Sequence, residues 1–296
     1  MNYFHFAYGL IVRSFMPLKE LSFFEREADV IIRLDNIDSS LLEVSYNGKD
    51  YQITTRGILL FWKNEGKFLI RDGREIIIDP DPDVDEQTLR LIIEGPALGV
   101  ILHQRGQLPL HAAAVEIDGK VVALMGGVGA GKSALAAALY KRGHLFVTDD
   151  VTAVQPDVGD IPVVSPGFAQ LKLWPEVISA LGDNPESLPR IEPGTEKRSY
   201  RISDRFSQKT LPLTRIYLLT ENPDHGILPL APQRALLELM RHSYRASLLK
   251  WIGAERHLSQ CASLINKVPI KQLNRLPLIS GLHDLARIVE EDVAFG

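Results

Sequence analysis

The sequence predicts an α/β protein: a small β-rich region at residues 1–84, a helical connector at 85–109 and a larger α/β domain at 110–296. Three observations predict it. The first ~80 residues alternate short apolar runs with turn signals, the texture of a β-meander. From His111 onward, strand-like and helix-like runs are mixed, which argues for helices packed on a sheet. Between Lys120 and Arg142, an apolar run passes through a glycine-rich octapeptide straight into a helix-forming run.

Taken in order, Val30 to Leu34 reads as a strand. Leu42 to Tyr46 and Tyr51 to Thr54 flank Asn47-Gly48, a strong hairpin signal because both residues tolerate positive φ. Ile58 to Trp62 and Lys67 to Ile70 follow, and Asp72-Gly73 turns the chain into Arg74 to Ile78. The run Asp79-Pro80-Asp81-Pro82-Asp83 reads as a linker. A helical region covers roughly Glu86 to Gln104, interrupted at Gly95-Pro96, where the proline either kinks one helix or starts a second. In the larger domain His111 to Ile117, an Asp118-Gly119 turn and Lys120 to Met125 form a hairpin. Lys132 to Arg142 has helical spacing, and Gly143 is placed to end that helix. Leu145 to Val147 is a short buried strand ending at Thr148-Asp149-Asp150, and Val151 to Val154 continues extended. Further helices are expected over Arg234 to Leu249, Ala254 to Ile265 and Leu282 to Glu291.

Composition narrows the function. The 45% hydrophobic and 24% charged content is that of an ordinary globular chain. A formal net charge of -4 gives no basic field for nucleic acid. No segment reaches the ~18 uninterrupted apolar residues of a membrane span; Leu91 to Leu102 is broken by Glu94, Gly95 and Pro96. Tyr8 to Lys19 carries Arg13 and Lys19 and lacks the apolar core of a secretory signal. The one cysteine, Cys261, cannot form an internal disulfide, which fits a reducing compartment. The expectation is a cytoplasmic protein with neither nucleic-acid nor membrane partners.

Gly126-Gly127-Val128-Gly129-Ala130-Gly131-Lys132-Ser133 matches G-x-x-x-x-G-K-[ST] in full, directly after an apolar strand and directly before a helix. Glycines let successive N–H groups turn inward as a nest for phosphate oxygens, and the helix adds its positive end there. Lys132 supplies a mobile charge for the β- and γ-phosphates, and the Ser133 hydroxyl can ligate Mg²⁺. The nucleotide-contacting set is therefore Gly126 to Ser133 together with Ala134, and the implied cofactors are ATP and Mg²⁺.

Asp149 and Asp150 follow a buried-looking strand sixteen residues beyond Ser133, where nucleotide-binding folds place a Mg²⁺ ligand. In an extended chain two adjacent acids point opposite ways. Either one faces the metal and the other a neighbouring site, or local twist brings both in. A carboxylate beside a metal-bound γ-phosphate could take the proton of an attacking hydroxyl.

Leu110-His111-Ala112-Ala113-Ala114-Val115, Val121 to Ser133, Arg142-Gly143-His144 and Asp149-Asp150 together resemble the HPr kinase/phosphorylase family, nearest to its shorter HPr-kinase-like members, some of which are lasso-peptide precursor kinases. The likeness is specific over about Leu110 to Val154 and weaker through Pro166 to Trp174. It implies a phosphate-loop domain similar to phosphoenolpyruvate carboxykinase, behind the β-rich amino-terminal domain. It also implies a kinase acting on a serine-type hydroxyl of a peptide, protein or small molecule. By resemblance, Asp149 and Asp150 supply the metal ligand and the base, and His111 stands beside the reacting phosphate. The bifunctional members form hexamers, which implies a homo-oligomer. One departure matters. The Glu-x-Arg-Gly signature that supports phosphorolysis is missing from Ile161 to Trp174, which argues against phosphorylase activity and against HPr as the acceptor.

The basic cluster Lys197, Arg198, Arg201 and Arg205 is either a solvated loop face or a clamp for phosphate or an acidic peptide; Lys197 and Arg198 are kept as candidate contacts. Lys172 is either within reach of the site or on a strand's solvent face. Arg241 and Arg245 fall on one face of an expected helix, and Trp174 and Cys261 read as packing residues. Two other classes stay open. A P-loop ATPase using water is one, although the guanine-specific Asn-Lys-x-Asp element is absent, Asn266-Lys267 being followed by Val268-Pro269. A nucleotide-binding regulatory or precursor-binding module is the other.

Overall fold

The computed structural model describes residues 3–18, 22–23, 27–156, 160–192, 194–222, 226–275 and 281–295. It forms two compact units, Met1–Gln107 with Ser247–Ala254, and Leu108–Ala246 with Glu255–Gly296.

The first unit is a nine-stranded mixed sheet in the order Ser22–Phe23, Tyr3–Ala7, Leu10–Ser14, Val30–Leu34, Glu75–Pro80, Gly66–Arg71, Gly57–Trp62, Tyr51–Thr54, Val44–Asn47. Its amino-terminal hairpin turns at Tyr8 (φ 56°) and Gly9 (φ 77°). That turn lacks the Asn-Gly or Asp-Gly pair that marks hairpins in a sequence. The Asp79-Pro80 linker reading is corrected. Pro80 closes the strand Glu75–Pro80 opposite Gly66, a strand end where a missing N–H breaks no ladder. Helices Glu86–Ile92 and Leu98–Gln104 are continuous through a π-helical turn at Ile93–Ala97 that contains Pro96. The wider turn accommodates a residue without an N–H, so the proline does not start a second, separate helix.

The second unit is built on a mixed sheet in the order Leu108–Leu110, Thr152–Gln155, Val163–Val164, Leu211–Glu221, Lys120–Met125, Ala112–Ile117, Leu145–Thr148. Ile270–Arg275 adds to Leu211–Glu221 in parallel, and Gly226–Pro229 pairs antiparallel with Ile270–Arg275. A separate ribbon pairs Gln170–Leu173 with Arg198–Arg201. Helices cover both faces. Lys132–Lys141 and Leu282–Phe295 pack on one, where Leu135, Leu139, Leu285 and Val289 meet Val115, Leu124 and Tyr217. On the other, Pro232–Arg241 and Ala254–Lys267 bury Leu239, Cys261 and Leu264 against Ala123, Met125 and Ile216.

The expected helix Arg234 to Leu249 is corrected: it runs Pro232–Arg241 and stops. Arg245, with φ 54°, lies in a turn instead of on Arg241's helix face. The segment is drawn out of helix because it pairs with the sheet. His111 N donates to His242 O at 2.7 Å and Tyr244 N donates to Pro109 O at 2.8 Å.

The carboxy-terminal helix is tied down by charge. Asp292 accepts from Tyr217 Oη at 2.7 Å and from Lys271 Nζ at 2.6 and 2.9 Å. Burial opposes the Asp292 charge, but Lys271, Tyr217 and Arg215 outweigh it and hold its carboxyl below the usual range. Asp292→Ala strands a half-buried ammonium and a buried phenol, a loss of about 2 kcal/mol, or roughly 4–8 °C in Tm for a domain of this size. Because the folded-state value is depressed, this contribution is present above the unfolded carboxylate range and disappears as pH falls through the folded value. Thermal melts from pH 7 to pH 3 check it: the wild type and variant curves converge in acid.

Candidate active site

Register brings four chain segments to one edge of the sheet. Met125 lies opposite Ala112, Ala114 opposite Thr148, Met125 beside Leu218, and Glu221 beside Arg275. The carboxyl ends of Lys120–Met125, Leu145–Thr148 and Ile270–Arg275 therefore share an edge with the residue preceding Ala112, which is His111. Crevices outside the carboxyl ends of parallel strands are where open α/β sheets take ligands.

The glycine loop leaves Met125 and enters the helix Lys132–Lys141. Gly126, Gly129 and Gly131 have φ of 153°, 79° and 91°, values an L side chain rarely adopts. At Gly126 a Cβ would also stand 3.0 Å from the Leu219 carbonyl. Lys132 is 7% exposed, and its ammonium donates to Gly126 O at 2.9 Å and Gly127 O at 3.1 Å. Burial pushes this ammonium down from its ordinary value, although Asp149 and Asp150 act the other way. Arg275 braces the loop from the neighbouring strand, with Nε donating to Ala130 O at 2.7 Å and Nη2 to Gly129 O at 3.1 Å.

Both acids reach one cavity, and the cause is a backbone turn. Asp150 has φ 71°, and Val151 N donates to Asp149 O at 2.8 Å, an i to i+2 closure across Asp150. Thr148 Oγ1 secures it by donating to Val151 O at 2.8 Å. Aspartate is among the few residues that enter the left-handed region singly. The strand geometry that would send the two carboxylates apart is broken at that residue.

Their environments differ. Asp149 Oδ1 accepts from Ser133 Oγ at 2.8 Å and Oδ2 from Lys172 N at 3.1 Å. Burial pushes its carboxyl up, aided by the charge of Asp150, and these hydrogen bonds offset only part of that. Asp150 stands between an imidazole and an ammonium. His111 Nδ1 is 3.2 Å from Oδ1, and Lys172 Nζ is 3.1 Å from Oδ2. Burial opposes its charge too, but the His111 hydrogen bond and Lys172 prevail and hold this carboxyl far below the usual range. One acid is held ionised and its neighbour is pushed toward the neutral form, the pattern that separates roles between adjacent titrating groups.

The cavity has a volume of about 470 Å³ and is lined by Val128, Gly129, Gly131, Lys132, Ser133 and Ala134 of the loop and helix, by His111, Asp149 and Asp150, and by Lys172, Trp174, Lys197 and Arg275. Of the sequence candidates, Gly126, Gly127 and Ala130 complete the loop backbone behind this wall. Lys197 lines the cavity and Arg198 does not: Arg198 is buried against Glu186 at 3.3 Å and Glu196 at 3.8 Å. Arg205 stacks over the Tyr140 ring at 4.6 Å.

Two contributors, Arg275 and Tyr244, are not legible as site residues in the sequence. Arg275 ends a strand the apolar pattern does not single out. Lys172 was left open between the site and a strand's solvent face, and the ribbon's placement turns it to Asp150. Tyr244 comes with the segment that pairs beside His111, the two rings 6.1 Å apart; burial and the charge of Asp150 raise its phenol.

Among the described residues no group of three or more His, Cys, Asp or Glu side chains could hold a metal, and no helix is long and apolar enough to cross a membrane. No protein-family model matches the chain, and no curated protein matches its sequence. Among solved structures the chain is similar to the Hpr(Ser) kinase/phosphatase from Coxiella burnetii, at 15% identity and a TM-score of 0.34, over 63% of this chain and 88% of that one.

Proposed function

We propose that this protein is an ATP- and Mg²⁺-dependent phosphotransferase that moves the γ-phosphoryl group onto a serine-type hydroxyl of a peptide, protein or small molecule. The observation that carries the reading is Asp150, flanked by His111 and Lys172 within 3.2 Å, in the same cavity as a complete phosphate loop. The loop amides and Lys132 bind the triphosphate, and the helix end adds a fixed positive potential. Ser133 and Asp149 offer a hydroxyl and a carboxylate 2.8 Å apart, an all-oxygen pair suited to a hard cation that takes its other ligands from phosphate and water. Mg²⁺ held there would neutralise charge on the β- and γ-phosphates. Asp150 takes the acceptor's proton as the acceptor oxygen bonds to phosphorus and the bond to the β-phosphate oxygen breaks, releasing ADP. His111 and Lys172 orient Asp150 and keep it charged.

Incubation with γ-labelled ATP, Mg²⁺ and candidate acceptors (serine, serine-ended peptides, HPr) tests the proposal. Label on an acceptor supports it; release of phosphate alone makes the protein an ATPase, and nucleotide binding without turnover makes it a binding module.

A pH prediction follows from the geometry around the base. Asp150 is active when ionised, so its depressed value keeps kcat/KM level well into acid. Lys172→Met removes the ammonium that helps depress it, and the acidic limb moves to higher pH. An acidic limb that stays in place would take Lys172 out of the environment of the base.

A further inference from the structure

The loop, the two acids, His111 and the cations account for most of the polar cavity wall, Glu176 being the exception. The remainder is apolar apart from Glu176 and comes mainly from two other elements: Trp174 and Val177 after the Lys172 strand, and Leu282 and Leu285 at the start of the carboxy-terminal helix. The three aliphatic side chains are almost fully covered, whereas Trp174 is 44% exposed. Such a wall has nothing to offer a phosphate. It meets the loop through Ala134, the residue after Ser133, which also lines the cavity. A ligand whose phosphates fill the loop therefore has an aromatic and aliphatic surface along the same cavity.

We propose that this surface is a nucleobase subsite, with the base stacked on the indole of Trp174 and packed against Val177, Leu282 and Leu285. Every base has a π-face, and stacking on an aromatic side chain needs no hydrogen-bond match. Lys197 places its ammonium 5.5 Å from the centre of the same ring. An exposed contact of that kind is weak, so the base replaces it and the ammonium turns toward the triphosphate. The volume of about 470 Å³ falls within the ~300–1,000 Å³ range of sites for whole small molecules. The inference rests on the phosphate-loop reading, since it assigns the other end of the same ligand.

The test compares ATP with inorganic tripolyphosphate by calorimetry on the full chain with Mg²⁺. Trp174→Ala is expected to weaken ATP roughly tenfold and to leave tripolyphosphate unchanged, while Trp174→Phe keeps most of the ATP affinity. Of the three tryptophans only Trp174 lines the cavity, so quenching of tryptophan emission by ATP is expected in the wild type and absent in Trp174→Phe. Because Trp174 is outside the core, the alanine variant keeps its fold, which far-ultraviolet circular dichroism checks. ATP affinity unchanged in Trp174→Ala, or lost equally for tripolyphosphate, overturns the subsite and leaves the loop in place. If the wild type binds neither ligand, the phosphate reading itself fails, and the subsite with it.

Discussion

Asp150→Asn is expected to lower the turnover of phosphoryl transfer by about 10³-fold, within the range that a positioned base supplies, and to leave ATP affinity intact or slightly improved. The asparagine retains the shape of the side chain, can still accept from His111, and tolerates the left-handed backbone that Asp150 adopts. What it loses is the capacity to take a proton, together with one negative charge near the phosphates. Losing that charge favours an anionic ligand, so a variant that binds ATP well and turns over poorly separates chemistry from binding. Single-turnover transfer alongside calorimetry checks both halves. Unchanged turnover would remove Asp150 as the base and leave Asp149, which burial and its neighbour push toward the neutral form, and Glu176 as the other carboxylates lining the cavity.

Lys132→Ala is expected to weaken ATP binding by about 10²-fold, the equivalent of one well-placed charged hydrogen bond at about 2–3 kcal/mol. The ammonium is already held at the loop, donating to the Gly126 and Gly127 carbonyls, so little side-chain freedom remains to be lost when phosphate replaces them. Its burial lowers the cost of moving from carbonyls to a fully charged partner. Lys132→Arg is not expected to rescue, because a planar five-donor fork does not fit a slot shaped for a compact charge. Equal ATP affinity in wild type and Lys132→Ala, measured by calorimetry, would refute a role for this lysine in nucleotide binding.

Much of the site was legible because its parts are local. The loop spans eight consecutive residues, and its glycines sit where positive φ is required, at 126, 129 and 131. The hairpin before it and the helix after it follow from Asp118-Gly119 and from small residues at helical spacing. The strand to Thr148 was readable as a short apolar run. Less visible were the hairpin Tyr3–Ala7 with Leu10–Ser14 and the strands Leu211–Glu221 and Ile270–Arg275. Leu211–Glu221 carries Pro212, Thr214 and Arg215 among its apolar residues, and its place beside Lys120–Met125 depends on pairing across almost a hundred positions. Pairing of that kind, not propensity, also ended the helix at Arg241.

The chain by itself determined the loop on which the proposed phosphate binding rests, because a nest of amides, a lysine and a serine need only adjacent residues to form. It also placed two acids near that nest, without fixing whether they share a site. Tertiary structure decided the rest. The positive φ at Asp150 turns both carboxylates into one cavity, and the ribbon carrying Lys172 and the strand end carrying His111 divide the acids into one charged and one pushed toward neutrality. A carboxylate's proton affinity is set by the charges and burial around it, and those are supplied by residues distant in sequence that only the folded chain brings within 3.2 Å.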